Sequence, residues 1–371
     1  MRNQQTTDSS LLTPNSGLRT PDSSYDAILL VSFGGPEGMD EVIPFLENVL
    51  RGRNVPRERM MAVAHHYEMF GGVSPINAQN RALISALKNE LDINGPALPV
   101  YWGNRNWHPM LADTLRRMET DGIRHALAFV TSAYSSYSGC RQYREDIERA
   151  RGEVGPTAPR VDKLRVFYNH PGFIGPIIEN IRAALEQIPL ERRERAQIAF
   201  TAHSIPASMA ANCDYETQLL ETCQLVSNNL GHERWRLVFQ SRSGPPSQPW
   251  LGPDICDYIR ELKEAGTRDL IIAPVGFISD HMEVLYDLDT EARVLCEEIG
   301  MNMVRAATVG THPAFIKMIR ELIMERLTPN TPRRFLGTRG PSHDVCPVDC
   351  CLIVAGRPTI ASQPNSETVN K

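Results

Sequence analysis

The stretch "LIIAPVGFISDHMEVLYDLDTEA", residues 270–292, joins a fully apolar run to a dense series of acids. The run is short and continuous, which is typical of a parallel strand buried on both faces. If the segment that follows is a helix, Glu283, Asp287 and Glu291 are spaced four residues apart and share one helix face. The helix dipole favours acids in the first turn but not two turns later. The carboxylates therefore need an explanation beyond helix stability.

Seven other apolar runs repeat this pattern along the chain. Amphipathic helical periods lie between them, and apolar strands that alternate with helices are typical of parallel sheets covered on both faces. Right-handed crossovers then produce doubly wound lobes. The sequence therefore predicts the α/β fold class, with two Rossmann-like doubly wound lobes that each contain a parallel sheet flanked by helices. The seven runs are "AILLVSF" at 27, "PVYWGN" at 99, "HALAFVT" at 125, "LRVFYN" at 164, "QIAFTAH" at 197, "RLVFQS" at 236 and "NMVRAAT" at 302.

Composition divides the chain into five parts. Both ends are rich in small polar residues and proline and carry no apolar period, so we expect them to be disordered. Four apolar runs precede the middle of the chain and four follow it, which predicts two lobes of similar size. The parts are a disordered leader at 1–24, an N-terminal lobe at 25–175, a C-terminal lobe at 176–330, a linker with a cysteine-bearing extension at 331–356 and a disordered tail at 357–371.

The charge balance limits the partners. The chain has 371 residues, with 39 Lys plus Arg against 44 Asp plus Glu, which gives a net charge of −5. This balance argues against nucleic acid as a partner. No apolar stretch approaches the ~20 residues of a membrane span, and no secretory leader pattern is visible. We therefore expect a cytoplasmic protein without a transmembrane segment, and peripheral contact with a membrane stays open.

Ligands of open α/β sheets bind at the carboxyl ends of the strands, so the residues that follow each strand are the candidates for a site. His203 ends the run "QIAFTAH", and the acid series follows "LIIAPV". Imidazole and carboxylates together can take up protons and bind a divalent cation transiently. Two other classes fit less well. The turn "SFGGPEG" lacks the spacing and the lysine of nucleotide-binding loops, and the chain has no G-x-S-x-G elbow of a serine hydrolase.

Five segments together resemble the ferrochelatases, which insert Fe²⁺ into a porphyrin. The resemblance extends from about Tyr25 to about Leu327 and is closest to bacterial, actinobacterial-type members with a C-terminal cysteine extension. It implies a chelatase-like fold and a lyase of haem biosynthesis, with Fe²⁺ and a free-base porphyrin as substrates and two protons released. The segments are "LLVSFGGPEG", "FGGVSPI", "FTAHSIPAS", "FQSRSGPPSQPWLGP" and "APVGFISDHMEVLYDLD".

The resemblance also implies roles for His203 and for the acid series. His203 and Glu283 are implied to be the catalytic pair that faces the pyrroles. Both residues, with Asp287 and Glu291 further outward on a locally widened helix, are implied to bind the substrate Fe²⁺. Removal of two pyrrole protons requires a base, and a row of weak oxygen ligands can hand over a hydrated cation stepwise. Which member of the pair takes the proton stays open.

A further group of residues is expected to contact the porphyrin. Some relatives carry a metal-ligating tyrosine where this chain has Phe33, so we expect Phe33 to pack against the ring beside Trp250. Arg51, Ser74 and Tyr143 near the mouth suit propionates, because guanidinium–carboxylate pairs are strong. The surrounding segment also resembles that of Gram-positive-type enzymes. We therefore favour coproporphyrin III, which carries four propionates, and protoporphyrin IX remains the alternative.

The motif "DVCPVDCCL" places Cys346, Cys350 and Cys351 close together. Some ferrochelatases bind a [2Fe–2S] cluster through cysteines of a C-terminal extension and one cysteine of the body, which the resemblance implies is Cys140 in "YSSYSGCRQYRED". Four thiolates suit such a cluster. A structural zinc ion and unligated thiols are the alternatives. The cluster would fasten the extension to the body or sense oxidants.

Two other functions are compatible with this fold, because a fold alone does not determine function. A haem or tetrapyrrole carrier would need an axial ligand and apolar walls but no row of carboxylates. A cobalt chelatase is a second enzymatic alternative, although its usual small members are much shorter than this chain and lack the cysteine extension. If the chain is a ferrochelatase, a downstream enzyme of the haem pathway is an expected partner.

Overall fold

The computed structural model describes residues 25–52, 55–245 and 247–353, and it contains two four-stranded parallel sheets. The predicted leader at 1–24 and tail at 357–371 lie outside the described residues. The first half contains β1 (Ala27–Ser32), α1 (Met39–Val49), α2 (Arg57–Glu68), α3 (Ile76–Asn94), β2 (Val100–Asn104), α4 (Leu111–Thr120), β3 (His125–Val130), a π-helical turn (Tyr137–Arg141), α5 (Gln142–Val154) and β4 (Arg160–Lys163). The second half contains α6 (Pro171–Glu186), α7 (Leu190–Arg193), β5 (Gln197–His203), α8 (Ala207–Ala210), α9 (Tyr215–Leu230), β6 (Trp235–Gln240), α10 (Ile255–Glu264), β7 (Asp269–Ala273), α11 (Met282–Tyr286), a π-helix (Asp287–Ala292), α12 (Arg293–Glu298), β8 (Asn302–Arg305) and α13 (Pro313–Leu327).

The two sheets have the same strand order, β2-β1-β3-β4 in the first half and β6-β5-β7-β8 in the second. In each sheet the chain adds its second strand on one side of the first and its third strand on the other side. The strand order therefore reverses at β1 and β3 in the first sheet and at β5 and β7 in the second. This is the doubly wound arrangement, in which ligands bind at the carboxyl ends of the strands where the order reverses. The predicted fold class is confirmed.

The central strands are apolar because helices cover both faces of each sheet. β1 and β7 consist entirely of buried residues. α4 and α5 pack on one face of the first sheet, while α3, α6 and α13 fill the space between the two sheets. The predicted boundary between residues 175 and 176 lies inside α6, and the division into two domains stays a prediction.

The prediction of a strand at 164–169 is wrong, because the fourth strand of the first sheet is Arg160–Lys163. β4 lies at the sheet edge and is partly exposed, so it needs no continuous apolar run. The apolar run that follows it enters the core instead, where the Phe167 ring stacks on Phe129 with 5.3 Å between centroids. A search for continuous apolar runs therefore does not detect β4.

The described part of the extension, residues 331–353, packs against the body. The backbone N–H of Leu336 donates to the carbonyl of Asn169 at 2.8 Å. Arg165 pairs with Glu325 of α13 at 2.7 Å, with both side chains almost fully buried, and donates to the carbonyl of Arg334 at 2.9 Å. These contacts bring the cysteines of the extension to the first half of the molecule.

Candidate active site

The ends of β5 and β7 lie side by side and bring two predicted site residues together. His203 is the last residue of β5, and the loop after β7 leads into α11, which carries Glu283. In that loop Gly276 donates its N–H to the carbonyl of Thr201 at 3.0 Å. A Cβ atom on Gly276 would lie 2.6 Å from Cα of Ala202, so any side chain would push the loop away from β5. The glycine therefore allows the close approach that brings Glu283 to His203.

His203 and Glu283 face each other at these strand ends. Nε2 of His203 lies 3.7 Å from Oε1 of Glu283, and the two side chains are 33% and 49% exposed, so a substrate can reach both. Nδ1 of His203 contacts the carbonyl oxygen of Ser204. Because a carbonyl only accepts, Nδ1 carries a proton and donates it. This hydrogen bond holds the ring with Nε2 toward the carboxylate.

Each member of the pair shifts the pKa of the other. Burial opposes the charged form of His203, but the Glu283 carboxylate outweighs it and raises the pKa of His203 to about 9. Burial likewise opposes ionisation of Glu283, but the His203 imidazole lowers the pKa of that carboxyl to about 2. At neutral pH the pair is therefore an imidazolium and a carboxylate. Glu283 can bind a cation or accept a proton directly, whereas His203 must first release its own proton.

His281 supports the start of α11. Its Nδ1 accepts a hydrogen bond from the backbone N–H of Glu283 at 3.2 Å, and its ring packs edge-on against Phe277 with 4.7 Å between centroids. Burial lowers the pKa of His281, which favours the neutral ring that this accepting role needs. The cap satisfies a free N–H of the first turn and orients the turn that carries Glu283.

After α11 the helix widens into the π-helix, so the locally widened helix that the resemblance implied is confirmed. Such widened turns are frequent at functional sites. Asp287, the first residue of the π-helix, accepts hydrogen bonds from the hydroxyl of Ser241 and from Nε2 of Gln240, the latter at 3.2 Å. Both donors lie at the end of β6. Asp287 is therefore oriented by a third strand end of the same sheet.

The acids of this segment differ in proton affinity. Burial raises the pKa of Asp287 to about 7, with the carboxylates of Glu283 and Glu291 acting in the same direction and the hydrogen bond from Ser241 opposing them. Burial also raises the pKa of Glu291, which is hydrogen-bonded to Tyr286. Near neutral pH, Glu283 is therefore ionised, whereas Asp287 takes up a proton much more readily. The carboxyl groups of this short segment therefore differ in pKa.

Helix α2 of the first half lies across from α11. The ring of His66 stacks on Tyr286 with 3.6 Å between centroids and an interplanar angle of 10°. Burial raises the pKa of its neighbour Tyr67, and the charge of the Glu283 carboxylate acts in the same direction. The cleft is therefore formed by the second sheet on one side and by α2 on the other.

Three of the predicted porphyrin contacts lie at strand ends. Phe33 directly follows β1 and is 37% exposed. Ser74 is buried against the glycine turn that follows Phe33. Trp250 forms an isolated backbone bridge with Pro206, three residues after His203. The structure thus places the Phe33 side chain at the end of β1 and the Trp250 backbone beside the residues that follow β5. Their contact with a porphyrin stays a prediction.

The other two predicted contacts lie elsewhere. Arg51 is exposed just beyond the end of α1. Tyr143 is buried, with its ring 4.7 Å from the Arg105 guanidinium, and Arg105 pairs with Asp146 at 2.8 Å. The same guanidinium lies 5.8 Å from the ring of Phe33, so Arg105 stands between Phe33 and Tyr143. Roles of Arg51 and Tyr143 in porphyrin binding stay predictions.

The four predicted cluster cysteines come together where the extension meets the body. Cys140 is buried in the π-helical turn before α5, and Cys346 of the extension packs against the core cluster that contains it. Sγ of Cys350 lies 3.5 Å from Sγ of Cys351. His343 joins this thiol cluster, because its ligand atom and those of Cys346 and Cys350 all lie within 4.8 Å of one another. Sequence analysis did not identify His343.

Basic residues surround the thiol cluster. Arg141 donates to the carbonyls of Val348 and Cys350 at 2.7 and 2.9 Å. The hydrogen bond from Cys346 lowers the pKa of Cys140 to about 5, against the effect of burial and with the help of Lys163. The same contact raises the pKa of Cys346. The contact between the two thiols therefore favours the thiolate form of Cys140, which is the form that binds metals.

Sequence analysis assigned no role to Gln240, Ser241, His281 or Arg305. The sequence contained a signal for the first two, because they end the run "RLVFQS" and so lie at a strand end. Arg305 lies inside the run "NMVRAAT", where a charged residue is uncommon in a buried strand. In the structure it pairs with Asp280 and Asp289.

The doubly wound halves and the histidine–carboxylate pair at the strand ends define the chelatase class. Among solved structures, SirB from Bacillus subtilis with Fe³⁺ matches with a TM-score of 0.51, at 13% identity, over 81% of this chain and 95% of that chain. At this identity the match shows the fold alone, which is the two-lobe chelatase fold.

Sequence comparisons then show the family. The ferrochelatase family profile matches residues 25–327. The chain is 59% identical over 338 residues to a ferrochelatase from Rhodopirellula baltica, covering 91% of this chain and 96% of the relative. It is 50% identical over 361 residues to a coproporphyrin III ferrochelatase from Streptomyces coelicolor, again covering 91% and 96%. The chain belongs to the ferrochelatase family, whose members are lyases of the metal-chelatase type.

Proposed function

We propose that this chain inserts Fe²⁺ into coproporphyrin III with release of two pyrrole protons, as a step of haem biosynthesis. The observation that carries the proposal is the His203–Glu283 pair, with 3.7 Å between Nε2 and Oε1, at the ends of two neighbouring strands. Metallation needs a proton acceptor and a last ligand for the ion at one place. The choice of ring is supported by the name of the Streptomyces coelicolor relative.

The charges of the pair indicate how it acts. The porphyrin would lie in the cleft with its nitrogens toward His203 and Glu283 and with Phe33 packed against the ring. Insertion requires that two N–H protons leave and that the ring bends, so that the nitrogen lone pairs point at the incoming ion. Glu283 is ionised in the free protein and is ready to accept a proton or hold the ion. His203 can act as a base after its own proton has passed to solvent.

The remaining carboxylates suit delivery of the metal. A hydrated Fe²⁺ ion would exchange waters for oxygens of Glu291 and Asp287 before it reaches Glu283. Because burial raises the pKa of Asp287 to about 7, protons compete with a cation for this carboxylate, which favours release toward the ring. Its hydrogen bonds from Gln240 and Ser241 keep the carboxylate oriented while the ion passes.

The thiol cluster fits the four-thiolate set of a [2Fe–2S] cluster, held by Cys140, Cys346, Cys350 and Cys351. Such a cluster would supply a covalent link between the extension and the body, and metal insertion itself needs no redox step. The proximity of His343 to Cys346 and Cys350 supports zinc as the alternative occupant.

Metal content distinguishes the two occupants. We expect protein isolated without oxygen to be coloured and to contain about two irons and two sulfides per chain. Cys140→Ser should remove both and lower the melting temperature, because metal binding contributes to folding. Cys223→Ser is the matched control, since that thiol is buried in α9 outside the thiol cluster. Colourless protein that contains zinc would contradict the iron–sulfur assignment.

Steady-state kinetics with both porphyrins tests the proposed reaction. Under anaerobic conditions with Fe²⁺, the free-base spectrum should convert to that of the metallated ring, with a higher kcat/KM for coproporphyrin III. A higher value for protoporphyrin IX would overturn the choice of ring and leave iron insertion standing. Binding without turnover of any porphyrin would instead identify a tetrapyrrole carrier.

One observation favours protoporphyrin IX as the second candidate. The apolar side chains of Met61, Met69 and Val73, in and after α2, are all more than 40% exposed. Exposed apolar patches mark surfaces that bind other proteins or membranes. Protoporphyrin IX is the more apolar of the two rings and would be taken up from a membrane, which such a surface could contact. Co-sedimentation with anionic lipid vesicles that depends on these three side chains would support this candidate.

The location of the protein is less constrained. Among the described residues, no helix combines the length and the apolar character that a membrane crossing needs. A cytoplasmic location, peripheral contact with a membrane and a downstream haem-pathway enzyme as partner stay predictions from the sequence.

A further inference from the structure

Two of the acids that follow β7 do not join the proposed metal row. Asp280 and Asp289 pair instead with Arg305, the last residue of β8. Nη1 and Nη2 of Arg305 donate to the two carboxylate oxygens of Asp280 at 3.0 and 3.3 Å. Nε donates to Oδ1 of Asp289 at 2.7 Å. One guanidinium therefore binds two carboxylates that are nine residues apart in the sequence.

The surroundings of Arg305 favour strong ion pairs of fixed geometry with Asp280 and Asp289. Its side chain is only 15% exposed, and those of Asp280 and Asp289 are 26% and 23% exposed, so solvent screens the pairs less than it screens surface ion pairs. The planar fork presents several donors in fixed directions, which a lysine cannot do. From the first half of the molecule, Nε2 of Gln79 also donates to the carbonyl of Asp280 at 2.6 Å.

The two partners of Arg305 lie on either side of Glu283 and Asp287 in the sequence. Asp280 lies just before α11, three residues ahead of Glu283, and Asp289 lies in the π-helix, two residues after Asp287. Arg305 therefore holds the segment on both sides of Glu283 and Asp287. A helix turns by about 100° per residue, so removal of the extra residue of a π-turn would swing the acids out of line.

We propose that Arg305 is a positioning residue for metal insertion. It holds Asp280 and Asp289, and thereby keeps the π-helix widened and Glu283 and Asp287 directed into the cleft. This inference rests on the proposed function, because it names what orients the residues of that reaction. It also accounts for the high density of acids after β7, since Arg305 neutralises two of them and leaves the others for the cation.

Arg305→Lys tests the proposal, because it retains the charge and loses the fork. Hydrogen bonds between charged groups contribute enough that their loss should lower kcat about tenfold or more and raise KM for Fe²⁺, with KM for the porphyrin unchanged. Hydrogen exchange of the amides at 283–292 should become at least about tenfold faster, while that of β7 stays at the wild-type rate.

Two further variants separate positioning from simple stability. Arg192→Lys is the matched control, because Arg192 pairs with Asp269 at 2.9 Å at the opposite end of β7; its kcat and both KM values should match the wild type. In the triple variant Arg305→Met with Asp280→Asn and Asp289→Asn, the three charges of this cluster are removed together, and the exposed Arg293 loses its 3.7 Å pair with Asp289. We expect this protein to melt near the wild-type temperature and still show low kcat and fast exchange at 283–292.

The outcomes are decisive in each direction. Wild-type exchange and an unchanged KM for Fe²⁺ in Arg305→Lys would overturn the proposal. Recovery of wild-type kcat and exchange in the triple variant would also overturn it, because charge balance would then suffice. If the wild-type protein metallates no porphyrin, the proposed function fails, and the exchange rates still report whether Arg305 holds the π-helix.

Discussion

The two sheets share one strand order, yet the groups at their carboxyl ends differ. In the first sheet, β1 leads into Phe33 and a glycine turn. In the second sheet, β5 ends at His203, and β7 leads through a loop to Glu283. The common topology determines where a ligand lies in each half. The residues after the strands determine the chemistry, so the strand end of the first half supplies an aromatic side chain and those of the second half supply titratable groups.

The ion pairs of the two halves also differ in distance and exposure. Behind Phe33, Arg105 and Asp146 pair at 2.8 Å with side chains that are only 6% exposed. The His203–Glu283 pair is longer, at 3.7 Å, and open to the cleft. A closed pair satisfies its own charges and contributes to structure, whereas an open pair can exchange its partner for a substrate. The contrast predicts that substitutions in the second half alter the reaction more than those in the first.

The largest effect is expected from His203→Ala. Loss of a positioned proton-transfer group lowers rates by about 10²- to 10⁴-fold, so kcat for porphyrin metallation should fall by that factor. His312→Ala is the control, because His312 caps α13 and pairs with Glu179 at 3.1 Å. Full turnover in His203→Ala would show that His203 of the second half is not the proton-transfer group.

The pH profile sharpens the roles within the pair. If His203 is the base, it must be neutral, so kcat/KM of the wild type should rise with pH up to about 9. In Glu283→Gln, burial still lowers the pKa of His203 but the largest opposing group is lost, and only the Ser204 carbonyl and Asp287 still raise that pKa. The rise should therefore move to lower pH. If Glu283 takes the proton, the wild-type profile shows no rise near this pH and Glu283→Gln is inactive throughout.

A smaller effect is expected from Asp287→Asn, because Asp287 is one of several oxygen ligands. In the wild type, KM for Fe²⁺ should fall as pH increases through about 7, where the Asp287 carboxyl ionises. The variant should lose this dependence and show a KM for Fe²⁺ raised by about tenfold, with little change in KM for the porphyrin. Asp257→Asn, on the exposed face of α10, serves as control. An unchanged KM for Fe²⁺ would exclude Asp287 from the metal path.

The smallest effect is expected from Phe33→Leu in the first half. An aromatic contact contributes about 0.5–1.5 kcal/mol beyond burial, so KM for the porphyrin should rise by a few-fold at nearly constant kcat. Steady-state kinetics at saturating Fe²⁺ measures this. A loss of kcat as large as that of His203→Ala would show that the first half takes part in the chemistry. It would contradict the proposed division of roles between the two halves.

The outcome for individual elements shows what sequence patterns detect. β1 and β7 were predicted because a strand covered on both faces has to be apolar throughout. β4 was missed because three of its four residues are charged and only Val161 is buried, whereas the edge strands β2, β6 and β8 keep more apolar residues. His203 and Glu283 were predicted because strand ends of a doubly wound sheet meet, and the family resemblance then added their roles. The widened helix came from the resemblance alone, since the period of the acids fits an ordinary α-helix equally well.

The sequence by itself determined the two parallel sheets, the positions of their strand ends and the concentration of acids after β7, because burial and strand period act locally along the chain. Only the tertiary structure decided how those acids are divided. Arg305 takes Asp280 and Asp289, and Ser241 orients Asp287. These partners come from β8 and from the end of β6, and only the folding of the sheet brings them to the π-helix.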